Sequence, residues 1–109
     1  MKEIEGSSVE QIVYHIVENR CDSFRSDVVH DGRFMGVNHG KCFVWLVCAS
    51  GTHIATNENP QLIEGMLNSV YDVRGIFFVN DATKRIIEFN SITEIKTYLS
   101  MTGVIMSDD

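Results

Sequence analysis

The chain has 109 residues, 44% of them hydrophobic and 22% charged, with a formal net charge of −6, the composition of one ordinary globular domain. One proline and eight glycines exclude collagen-like and Pro/Gly-rich disordered chains, and the apolar fraction is too high for a solvated acidic tail. A domain of this length buries roughly two thirds of its unfolded-chain surface, enough for a core without disulfides.

No repeat or low-complexity tract interrupts the chain, so a single domain over residues 1–109 is expected, with an ordered core at about 7–102 and frayed ends. The first element reads as a helix over 7–20. Ser7 and Glu10 have the spacing of a capping box, and Val9, Ile12, Val13, Ile16 and Val17 fall on one apolar stripe.

Between residues 23 and 57 the period changes to that of strands. Turn signals recur at Asp31-Gly32, Asn38-His39-Gly40 and Ser50-Gly51, which predicts a meander of up to four antiparallel strands. The third of these, residues 42–48, is apolar on both faces and requires neighbours on both edges with cover above and below.

A second helix starts at Asn59-Pro60, where Asn caps and Pro suits the first helical position. Its stripe is Leu62, Ile63, Met66, Leu67, Val70 and Tyr71, and it stops before Gly75. Residues 75–80 and 84–90 read as a hairpin around Asp81-Ala82-Thr83. Ser91 and Glu94 repeat the capping-box spacing ahead of a short helix that Gly103 ends. The expected fold is therefore α+β, an antiparallel sheet in the order α-β-β-β-β-α-β-β-α with helices packed on it.

Charge and cysteine usage narrow the function classes. Five Lys/Arg face seven Asp/Glu through Ala55, and four face eight beyond it, so no basic patch of nucleic-acid size exists and direct nucleic-acid binding is not expected. Cys21, Cys42 and Cys48 form an odd set, and no secretory apolar region follows the first six residues, which points to reduced thiols in the cytoplasm. The longest apolar run, residues 42–50, is about half the length needed to cross a bilayer.

Three chemical arrangements need weighing. A two-residue turn at Ser50-Gly51 sets Cys48 opposite His53, where an imidazole would ionise the thiol and make a small thiol-dependent enzyme. The bland alternative is a buried small hydrophobe beside a polar turn histidine. A zinc site of His39, Cys42, Cys48 and His53 fails on geometry, because two cysteines six residues apart on one strand are roughly 20 Å apart. A small-molecule sensor would need a cavity lined by Trp45 and Tyr71. Gly32, Gly36 and Gly40 lack the Gly-Lys-Ser/Thr context of a phosphate loop.

With no metal, cofactor or catalytic motif indicated, the preferred reading is a non-enzymatic protein-binding module. It is a small acidic inhibitor of the immunity, antitoxin or phage anti-host kind, acting by steric occlusion of a partner. Phe43 and Trp45 serve as apolar anchors, and Glu58, Glu64, Asp72 and Asp81 as the carboxylates that steer a basic partner. Apolar residues on both strand faces, which short helices would leave partly open, also predict a homodimer or a partner contact through a sheet face or edge.

Overall fold

The computed structural model describes residues 1–4, 9–21, 42–49, 51–80 and 82–105. In chain order they form β1 (Lys2–Ile4), α1 (Val9–Arg20), β2 (Cys42–Cys48), β3 (Gly51–Thr56), α2 (Pro60–Ser69), β4 (Val73–Asn80), β5 (Arg85–Phe89) and α3 (Ile92–Met101). The five strands make one sheet in the order β1-β5-β4-β2-β3, with every neighbouring pair antiparallel. The fold is α+β.

The uninterrupted apolar run of β2 explains its place. Residues 43–48 are all buried, because β3 and β4 occupy both edges and helices cover both faces. Trp45 stands opposite Ile54 on one side and Phe77 on the other. On one face Phe43, Trp45, Val47 and Phe77 pack under Ile12 and Ile16 of α1. On the other, Val44, Leu46 and Phe78 pack under Ile63 and Leu67 of α2 and Ile95 and Leu99 of α3.

This division closes the sheet faces and corrects the expectation that they stay partly open. It also moves Phe43 and Trp45, read from the sequence as partner anchors, into the interior, at 3% and 0% exposure. A mid-strand aromatic on a two-sided strand is covered by its own domain before any partner reaches it.

The helix boundaries follow their capping residues. Asn59 Oδ1 accepts from Leu62 N at 3.2 Å with Pro60 behind it, and Ser91 Oγ accepts from Glu94 N at 3.0 Å. The α3 C-terminus closes as a Schellman turn: Val104 N donates to Leu99 O at 2.8 Å and Gly103 N to Ser100 O at 3.2 Å. Gly103 takes φ 77° there, a left-handed value that glycine adopts without strain.

Three features depart from the sequence reading. β1 pairs with β5, Glu3 opposite Ile87, although its three residues carry no periodicity to announce it. The second neighbour of β2 is β4, supplied from across α2, in place of the strand immediately before it. The Ser7 cap, the turns at Asp31-Gly32 and Asn38-His39-Gly40, and the first two strands of the predicted meander lie outside the described residues.

The β4-β5 loop runs one residue longer than predicted. Asn80 pairs with Arg85 across it, Asn80 Oδ1 accepts from Ala82 N and Thr83 N, and Lys84 takes φ 60°.

Candidate functional site

α2 presses Ile63 and Leu67 onto the sheet, leaving Leu62 54% exposed on its outer side. After Ser69 the chain becomes extended at Val70 and turns sharply at Asp72, whose φ is 57°. A non-glycine residue reaches that region at a cost, least for Asn and Asp. Here the turn is held by Asp72 O, which accepts from Ala49 N at 3.1 Å and ties the end of the β2-β3 hairpin to the start of β4. Tyr71, just before the turn, is 85% exposed.

Between α2, this turn and β3 lies a groove of about 750 Å³. Leu62, Gly65, Met66 and Val70 line one wall, Thr52, His53 and Ile54 the other, and Cys48, Tyr71 and Asp72 one end. Among the described residues, no Lys or Arg lines it. Of the predicted steering carboxylates, Asp72 sits in the groove, Glu58 is exposed ahead of α2, Glu64 is half-buried on α2, and Asp81 lies outside the described residues.

The structure brings Cys48 and His53 to the same groove but not opposite one another. In the observed register Cys48 faces Gly51 and His53 faces Leu46, two positions from the register predicted for a turn at Ser50-Gly51. Burial pushes the Cys48 thiol up, with Cys21 and Asp72 adding to the rise. That direction opposes the ionisation a nucleophile needs.

The Trp45 and Tyr71 cavity is also corrected. Trp45 is enclosed on the α1 side against Phe77, their centroids 4.9 Å apart, while Tyr71 lines the groove beside α2. Cys42 and Cys48 stand at the two ends of β2, and among the described residues no three His, Cys, Asp or Glu side chains gather as a metal shell.

Sequence reading missed the groove itself. Its signals are a glycine inside a helix and two apolar residues, Leu62 and Tyr71, at the margins of a stripe too wide for a ten-residue helix. No helix among the described residues is long and apolar enough to cross a membrane. Comparison with protein-family models, curated proteins and solved structures gives no match.

Proposed function

We propose that the protein is a small acidic cytoplasmic protein-binding module that inhibits a basic partner by steric occlusion, and that it docks through the groove between α2 and β3. The observation that carries this reading is the pairing of exposed apolar side chains with an open groove. Leu62 and Tyr71 are 54% and 85% exposed on the rim of about 750 Å³ of concave space, where an interface anchor gains most from burial.

The charge of −6 and the carboxylates around α2 favour a basic partner and disfavour a second copy, which would bring like charges together. The test uses the full chain as bait in its source cell, in three versions: unaltered, Leu62→Glu with Tyr71→Glu, and Glu18→Gln on the exposed side of α1. Support is a basic protein captured stoichiometrically by the unaltered and Glu18→Gln chains and lost from the groove variant. Capture that survives the groove substitutions overturns the docking surface, and light-scattering evidence of a dimer lost in the groove variant replaces the partner with a second copy.

A further inference from the structure

Resting on that docking reading, we infer that the groove takes an extended segment of the basic partner as an added strand, paired to the outer edge of β3 and held chiefly by backbone hydrogen bonds.

The groove meets β3 at its edge. Thr52, His53 and Ile54 all line it, yet successive side chains of a strand point to opposite faces, so a surface touching three in a row follows the backbone between them. β3 ends the sheet order, with β2 along its inner side. The ladder fixes which backbone groups point outward. Asn57 N donates to Cys42 O at 3.0 Å, and hydrogen-bonded positions alternate along an antiparallel pair. His53 and Ala55 therefore turn their backbone groups toward β2, and Thr52, Ile54 and Thr56 turn theirs outward. Thr56 O accepts from Asn59 N. Among the described residues, the N–H and C=O of Thr52 and Ile54 and the N–H of Thr56 find no backbone partner.

β3 also lacks the devices that blunt a sheet edge. Its residues, Gly51–Thr56, include no charge and no proline, and its register with β2 is unbroken. Its outward positions are all β-branched, which makes the edge a template for another strand. The opposite edge is blunted, because β1 has three residues and bears Lys2 and Glu3.

Charge selects the occupant. Asp72 lines the groove near the start of β3, where its carbonyl holds Ala49 N, and Glu58 is exposed just past the end of the strand. A paired segment with basic residues at both ends meets a carboxylate at each. A second copy does not, since antiparallel pairing of two β3 edges brings Glu58 of one toward Asp72 of the other.

The test titrates the isotope-labelled full chain with the blocked peptide Lys-Thr-Val-Thr-Val-Thr-Lys, beside the same peptide N-methylated at every central residue and a version with Glu at both ends. Methylation removes the backbone donors and keeps every side chain. The expected result is amide shifts and new exchange protection centred on Thr52, Ile54 and Thr56, with no resolved binding of the methylated peptide. The Glu-ended peptide should bind about tenfold more weakly. Ile54→Pro removes an outward N–H and spares the ladder to β2; it should abolish binding while the protection of the His53 and Ala55 amides shows that ladder intact. Glu18→Gln should change nothing.

Equal binding of the methylated peptide, shifts centred away from β3, or no binding at about millimolar peptide, near the weak limit for a specific contact, each overturn strand addition. Equal binding of the Glu-ended peptide overturns the basic occupant, and a dimer in light scattering that Ile54→Pro dissolves puts a second copy on the edge instead. If strand addition fails while partner capture still depends on Leu62 and Tyr71, the docking surface stands and reads side chains alone. If capture is independent of them, the docking reading falls as well.

Discussion

Arg20, the last residue of α1, reaches across to Glu88 in β5, its Nη1 2.6 Å from Oε2, while the same nitrogen donates to Arg74 O at 3.1 Å. The guanidinium also lies 5.4 Å from the Phe77 ring centroid, so one side chain ties the helix to both β4 and β5. Both partners of the ion pair are about 70% covered, where charge-assisted bonds count for more than at the open surface. Arg20→Ala is expected to destabilise the protein by about 1–3 kcal/mol in denaturant titration, more than Glu88→Gln, which keeps a hydrogen-bond acceptor. An effect within 0.5 kcal/mol, the usual range for surface changes, would mean that α1 is held by its apolar stripe alone.

Gly75 and Gly65 should respond to alanine with opposite signs. A Cβ at Gly75 falls 2.5 Å from Phe77 Cε2 and 3.0 Å from Arg20 Nη1, and Phe77, fully buried, has no space to retreat. Gly75→Ala should cost about 1–3 kcal/mol by overpacking. Gly65→Ala, with nothing among the described residues within 4 Å, should stabilise by up to about 1 kcal/mol. Thermal unfolding midpoints of the two variants check both signs.

Trp45 is fully buried, and its removal leaves a cavity between α1 and the sheet. Trp45→Ala is expected to cost about 3–5 kcal/mol, and the native protein should emit at the short wavelengths of an enclosed indole. Emission at the wavelength of water-exposed tryptophan would contradict the central place of β2.

The thiols should be slow to react and unimportant to stability. Burial raises Cys42 and Cys48 above the ordinary thiol value, so the thiolate fraction at neutral pH is small and climbs only in alkaline solution. A thiol-directed reagent should modify Cys48 no faster than Cys21, and reductants and chelators should leave the unfolding midpoint unchanged. Rapid modification of Cys48 at neutral pH would revive the thiol-enzyme reading.

Docking of β1 should weaken in acid. The hydrogen bond from Arg85 holds the Glu3 carboxyl below its ordinary value, so the folded state binds fewer protons than the unfolded one near that pH. The contribution is therefore complete above the ordinary glutamate value and is lost as pH falls through the lowered folded value. The pair is exposed, so the change is local and small. The protection of the Ile87 amide, opposite Glu3, taken relative to its intrinsic exchange rate at each pH, should fall over that acid interval in the unaltered protein but not in Glu3→Gln.

Local signals in the sequence marked the elements well where the chemistry is local. The seven apolar residues of β2, the Asn59-Pro60 start of α2, the Ser91 cap of α3 and its Gly103 stop each act within a turn or a strand. What the sequence left hidden depends on distant contacts. β4 enters the sheet between β2 and β5, and β1 finds β5 more than eighty residues away, pairings that no local period encodes. The β2-β3 register pairs Cys48 with Gly51, two positions from the local expectation, and β2 carries a bulge between Val47 and Cys48 against β4, neither of which a local period encodes. The groove was hidden for the same reason: Leu62 and Tyr71 resemble core residues until the packing of Ile63 and Leu67 fixes which side of α2 faces in.

The measurement that tests the docking surface most directly is photo-crosslinking in the source cell, with benzoylphenylalanine in place of Leu62 and, separately, in place of Glu18 on the exposed side of α1. One dominant covalent product is expected from position 62, joined to a basic protein, and none from position 18. A product from position 18 with nothing from position 62 would contradict it.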